Sequence, residues 1–141
     1  VNEMIDKFNN IFYLVIYLVH FAGVGMYAYQ TIADTKRFMK KFGIDKSGAI
    51  MIRLAGAFML AVFLMSIYVG FIRPGGLNAT WAFFNLVFLN NLCIFLCNYY
   101  SIKINKTGVN KKTGMEPVYA PLAFTVMSAI LCYGLADQIY V

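Results

Sequence analysis

Charge is scarce in this chain, and acid scarcer than base. Of 141 residues, 13% are Asp, Glu, Lys or Arg and only six are acidic, where a soluble domain would carry about a quarter charged residues. No carboxylate falls inside any long apolar run, which argues against the midplane acid that a Na⁺- or H⁺-coupled transporter wants. There is one histidine, so H-E-x-x-H is impossible and two histidines cannot ligate one haem within the chain. No phosphate loop and no plausible nucleophile triad accompany it. The three cysteines, Cys93, Cys97 and Cys132, all lie in apolar runs rather than in loops where a disulfide framework would sit. Cys93 and Cys97 share a helix face four residues apart, yet no third or fourth metal ligand has a useful spacing, so no metal site is expected. No positively charged leader with a cleavage-site pattern precedes the first apolar run, which therefore does not read as a signal peptide.

What is abundant is hydrocarbon. Apolar residues make up 61% of the chain. Residues 47–73, SGAIMIRLAGAFMLAVFLMSIYVGFIR, have Arg53 as the only charged side chain between Ala49 and Ile72. They lack the polar face that a core helix of a soluble domain would need. Three companion runs follow from this one, giving expected membrane spans at about residues 11–29, 49–72, 80–100 and 117–134. At 1.5 Å per residue the first alone covers about 28 Å, enough for the hydrocarbon core. Arg73-Pro74-Gly75-Gly76 stops the second span, because proline cannot continue a helix and glycines favour a turn. Pro117 suits the start of the fourth, and Pro121 is tolerated in its first turns. The expected fold is all-α, a single domain, an integral membrane four-helix bundle.

Between the first two spans the composition switches to TIADTKRFMKKFGIDKSG. Ile32, Phe38, Met39 and Phe42 form an apolar edge opposite Lys36, Arg37, Lys40 and Lys41. This reads either as a short amphipathic helix on a membrane surface, with Asp34 or Thr35 capping its start and Gly43 its end, or as a solvated charged loop. Ten of the twelve Lys and Arg residues lie in or beside this segment and residues 101–116, and only Lys7 and Arg73 lie opposite. The positive-inside rule then places both basic loops on the cytoplasmic, matrix or stromal side and both termini outside. Thylakoid, inner mitochondrial and bacterial plasma membranes all satisfy this. The net charge of +6 is thereby read as a topology signal and a set of phospholipid contacts, with no nucleic-acid partner. Tyr13, Trp81 and Tyr140 at one boundary, and Tyr27, Tyr29, Tyr99, Tyr100 and Tyr119 at the other, form two aromatic girdles. The glycosylation-like triplets Asn78-Ala79-Thr80 and Asn105-Lys106-Thr107 are taken as chance.

Depth arithmetic singles out a few polar residues. His20 is about 14 Å into the first span, Asn90 and Asn91 are about as deep in the third, and Ser128 is near that level in the fourth. Polar groups at that depth face partners. One reading is an interhelical hydrogen bond between His20 and an asparagine that fixes register. The other makes the imidazole an axial ligand to haem or chlorophyll or a proton-relay member, with Asn90 and Asn91 holding a pigment carbonyl, a quinone or a lipid. Lys36, Arg37, Lys40, Lys41 and Arg53 are the candidate lipid contacts, with Arg53 about 6 Å below the boundary and able to snorkel to a phosphate. Ala55, Gly56, Ala57 and Ala61 on the second span, and Gly23 and Gly25 on the first, allow close helix approach.

Arg53-Leu54-Ala55-Gly56-Ala57, opening an apolar helix after the Phe42-Gly43 turn, resembles small four-helix membrane proteins of the DoxX-like group. The resemblance covers the second span and its lead-in, and implies a four-helix bundle with short connections. The function expected from the residues is that of a noncatalytic accessory subunit in a larger energy-transducing membrane complex, photosynthetic or respiratory, binding structural lipid or pigment beside other transmembrane subunits. The alternative is a free-standing DoxX-like channel, carrier or redox accessory for small molecules.

Overall fold

A computed structural model describes all residues from Val1 to Val141 and contains helices and turns with no strand. The helices are α1 (Asn2–Lys7), α2 (Ile11–Ile32), α3 (Thr35–Phe42), α4 (Ala49–Ile67), α5 (Trp81–Tyr99), α6 (Glu116–Gly134) and α7 (Ala136–Ile139). Four segments, Ile11–Ile32, Lys46–Ile72, Trp81–Asn105 and Glu116–Gly134, are long and apolar enough to cross a membrane.

Local chemistry sets the ends. Asn10 accepts the Tyr13 N–H at 3.1 Å and caps α2. That helix runs three residues beyond the expected Tyr29, because Thr31 buries its hydroxyl by donating it to the Tyr27 carbonyl at 2.7 Å. The basic segment is helical rather than a loop, and α3 ends at Gly43 in the left-handed conformation with φ 65°. Neither proposed cap forms at its start: Asp34 makes no capping bond, and Thr35 turns its hydroxyl back to the Thr31 carbonyl at 2.7 Å. Both α4 and α5 finish in wider π-helical turns, Tyr68–Ile72 and Tyr100–Asn105, which carry the third span past its expected end.

Pro121 lies within α6 and has no N–H for the Pro117 carbonyl four residues before it. Asn98 on α5 donates its side-chain amide to that carbonyl at 2.7 Å. The amide load of the third span is partly explained here: one asparagine replaces a hydrogen bond that a proline removed.

The long helices pack in the order α4, α2, α6, α5, with α4 and α5 forming no packed pair. The bundle is therefore open along one side. At the end holding both termini it is tightly closed around Phe8, Tyr17, Phe84, Leu77, Leu131 and Ile139, all buried in one core cluster. The Phe8, Tyr17 and Phe21 rings follow one another at centroid distances of 4.8 and 4.6 Å. Asn9 donates to the Gly134 carbonyl at 2.8 Å and Gln138 to the Lys7 carbonyl at 2.9 Å, tying the termini together. At the opposite end the two basic segments meet: Asn110 donates to the Gly43 carbonyl at 2.7 Å, and Lys41 pairs with Glu116 at 2.9 Å. Both basic loops thus share one end of the molecule, and the termini share the other.

Candidate functional site

Because α4 and α5 diverge, a cleft of about 830 Å³ opens between them, with α2 and α6 as its floor. Ile52, Ala55, Met59 and Val62 line one wall; Val87, Asn90, Asn91, Ile94 and Asn98 line the other. Val24, Ala120, Pro121 and Phe124 form the floor. The volume lies within the range of about 300–1,000 Å³ typical of ligand sites, and an apolar lining with a few polar groups is their usual character. The rim at the basic end is polar. Tyr27 donates its hydroxyl to Glu116 at 3.1 Å, and the same carboxylate takes Lys41. Asp45, also on the rim, accepts the Ser47 backbone N–H and hydroxyl, both at 2.9 Å, and these hold its carboxyl below the usual carboxylate range.

Behind the cleft wall sits the cluster that depth arithmetic singled out. His20 is completely buried, and its Nε2 lies 2.9 Å from Asn91 Nδ2. The same amide nitrogen is 3.2 Å from the Phe124 carbonyl and 3.2 Å from Ser128 Oγ. Ser128 commits its proton to the Phe124 carbonyl at 2.8 Å, leaving Oγ free to accept. The Phe124 carbonyl can only accept, so the network assigns NH₂, not the carbonyl oxygen, to the side of Asn91 facing it. His20 Nε2 is then an acceptor, and the ring proton resides on Nδ1, which is buried without any partner. Phe21 and Phe124 pack edge-on against the imidazole at 4.4 and 5.3 Å.

These surroundings do not fit a haem or chlorophyll ligand. Nε2 is engaged, the ring is walled by aromatic edges, and His20 itself is absent from the cleft lining. Of the expected trio, His20 and Asn91 meet and Asn90 does not. One residue turns a helix by about 100°, which carries Asn90 away from His20 and onto the cleft wall, where it is exposed and has no protein partner.

The candidate lipid contacts also separate. Lys41 faces Glu116 across the cleft rim, and Arg37 is exposed on α3. Lys36, Lys40 and Arg53 gather instead with Lys46 around a second hollow beside α4. Arg53 does not simply reach away from the protein, because its Nε–H donates to Thr35 Oγ1 at 3.3 Å. Gly56 is one of only two buried residues of α4 and meets Thr31 and Ile32 of α2, while Ala55 lines the cleft and Ala57 is exposed. The open order of helices and the role of Asn98 were not legible beforehand, since apolar periodicity does not say which helices are neighbours. Pro121 followed four residues after Pro117 was the one available signal for Asn98.

No protein-family model, curated protein or solved structure matches the chain.

Proposed function

We propose that this chain is a noncatalytic integral membrane protein that takes a lipid-like molecule into the cleft between α4 and α5. The molecule has hydrocarbon to match Ile52, Met59, Val62 and Ile94, and one neutral hydrogen-bonding group to meet the amides of Asn90 and Asn91. The observation that carries this reading is the pairing of an open apolar cleft with an unpartnered amide on its wall. Membrane insertion itself is supported by four long apolar helices and by α4, of which only Gly56 and Ser66 are buried. Ile50, Met51, Leu54 and Phe58 all point outward from it, an apolar surface that hydrocarbon solvates and water does not. The basic end faces the cytoplasm, matrix or stroma by its excess of Lys and Arg.

The test is photolabelling of the full chain in bilayers with a diazirine-bearing long-chain lipid alcohol, followed by peptide mapping. Ala55→Trp and Ala120→Trp fill the cleft and are expected to abolish labelling of residues 87–98, whereas Ala57→Trp on the exposed face leaves it intact. Equal labelling in all three variants would overturn the proposal.

An accessory subunit of a larger assembly remains the second reading, favoured by the nearly unpartnered surface of α4. Extraction in a mild detergent separates the two. Comigration with a larger complex supports the subunit, and a stable monomer or small homo-oligomer with retained lipid supports a free-standing carrier.

A further inference from the structure

Four cationic side chains converge on the hollow of about 590 Å³ between α3 and the start of α4: Lys36, Lys40, Lys46 and Arg53. None has a carboxylate partner, since the single ion pair in the protein is Lys41 with Glu116. The nearest acid in sequence, Asp45, directs its carboxylate to Ser47. Lysine near a helix C-terminus is ordinarily explained by the macrodipole, and that accounts for Lys40 and Lys41 in the last turn of α3. It does not account for Lys36, one turn earlier on the same face as Lys40, where like charges oppose helix formation. Nor does it account for Arg53, which comes from another helix.

Arg53 is also oriented. Thr35 donates its own proton to the Thr31 carbonyl and accepts the Arg53 Nε–H. That contact holds the guanidinium while leaving both terminal nitrogens without a protein acceptor, the edge suited to two oxygens of one phosphate. Ala49, at the start of α4, completes the lining of the hollow. Met39 and Ile44 supply apolar wall beneath the cations.

We infer that Lys36, Lys40, Lys46 and Arg53 form a binding site for the phosphodiester of an anionic phospholipid head group, with the first methylenes of its chains against Met39 and Ile44. The site adjoins the α4–α5 cleft, with Ile44 the one residue lining both, and otherwise shares with the proposed function only the placement of these helices in a bilayer. Lys41 and Arg37 are outside it.

The test uses the full chain purified from bilayers of phosphatidylcholine with phosphatidylglycerol, with lipid retention read by native mass spectrometry. Lys40→Gln combined with Arg53→Gln is expected to lower phosphatidylglycerol retention by about tenfold or more. Arg37→Gln combined with Lys103→Gln removes the same charge from the same end and is expected to change it less than about twofold. Arg53→Lys, which keeps charge and loses the fork, is expected to fall between them. Equal losses in the two double variants would reduce the effect to diffuse surface charge and overturn the site, as would no loss in either. Inorganic phosphate at millimolar concentration is the second arm: undiminished retention supports a lipid ligand, and displacement of the lipid by phosphate assigns the site to a soluble anion and overturns it. Resistance to alkaline extraction, scored for every variant, keeps failure of the site distinct from failure of membrane insertion. Cleft labelling by the lipid alcohol, scored in parallel, is expected to survive loss of the head-group site.

Discussion

Replacing His20 by leucine is expected to harm the fold less than replacing its partner Asn91 by leucine. The imidazole makes one hydrogen bond, from Asn91, and carries a second buried nitrogen, Nδ1, that makes none. An interhelical side-chain hydrogen bond in a membrane protein contributes about 0.6 kcal/mol on average. An unpaired buried polar group costs about 1–3 kcal/mol. His20→Leu forfeits the first quantity and removes the second, while a side chain of similar volume keeps Phe21 and Phe124 packed. The net change runs from about neutral to about 2 kcal/mol stabilising. Asn91 meanwhile keeps the Phe124 carbonyl and Ser128 Oγ as acceptors. Asn91→Leu does the reverse: both imidazole nitrogens are then orphaned in the core, for a loss of about 2 kcal/mol. The double variant lacks the orphan and is expected to recover most of that loss, the coupling that a double-mutant cycle isolates. Reversible unfolding in mixed micelles, followed by circular dichroism, measures all three. A His20→Leu penalty equal to or above that of Asn91→Leu would refute the reasoning, and would mean that Nδ1 has a partner such as a bound ligand. If His20 has a role beyond packing, His20→Leu will lose cleft labelling while keeping stability.

A β-carbon added at Gly56 would lie 2.7 Å from Ile32 Cγ1 and 3.0 Å from Thr31 Cβ. Thr31 is hydrogen-bonded to its own helix, so Gly56→Ala is expected to destabilise by about 1–3 kcal/mol in the same micelle assay, while Ala57→Leu on the exposed face stays near neutral. Asn98→Leu orphans the Pro117 carbonyl and should cost about 1–3 kcal/mol, but in a Pro121→Ala background the restored backbone N–H takes that carbonyl and the cost should largely vanish. Gly43→Ala combines left-handed strain of about 1–2 kcal/mol with a β-carbon 2.5 Å from Asn110 Oδ1, and is expected to speed proteolysis within residues 43–48 and 106–115. Single cysteines at Ser47 and Lys111, in a chain otherwise free of cysteine, should react with an impermeant reagent from one side of the membrane and one at Asn78 from the other. Labelling of Ser47 and Lys111 from opposite sides would contradict the Gly43–Asn110 contact itself.

The sequence reveals what depends on distance along a helix and hides what depends on rotation or on neighbours. His20, Asn91 and Ser128 share a level because rise per residue is constant; a bond from His20 to one of the two asparagines was expected on that ground, while the choice of Asn91 and the bond to Ser128 were not. Asn90 was placed at the same depth, but adjacent residues share depth while differing in direction, so Asn91 reaches His20 and Asn90 faces the cleft. The basic residues follow the same logic. Their clustering between the first two long helices was plain, but their division was not, because Lys41 turns to a glutamate 75 positions away and Arg53 to a threonine on α3. Helix ends extended past expectation where hydroxyls hid in the backbone, as at Thr31, and where the last turn widened, as at Tyr100. The all-helical class and the four helices long and apolar enough to cross a membrane were legible, since the apolar 61% of the chain is gathered into four long runs.

The contrast between the two ends has an energetic consequence. The terminal end buries its apolar side chains against one another, whereas the apolar walls of the cleft between α4 and α5, open on one side, take the same gain only from whatever solvates them. Water is a poor solvent for the walls at Ile52, Met59, Val62, Val87, Ile94 and Phe124, whereas Asp45, Asn110, Thr113 and Glu116 make the basic end of the lining polar. The two halves are joined at one end by the aromatic core around Phe8 and Tyr17 and at the other by Asn110 on Gly43 and Lys41 on Glu116. On the proposed reading, surrounding lipid would complete a scaffold clamped at both ends and apolar between them, and exchange of that lipid for a molecule that also bonds Asn90 would be the step on which selectivity acts.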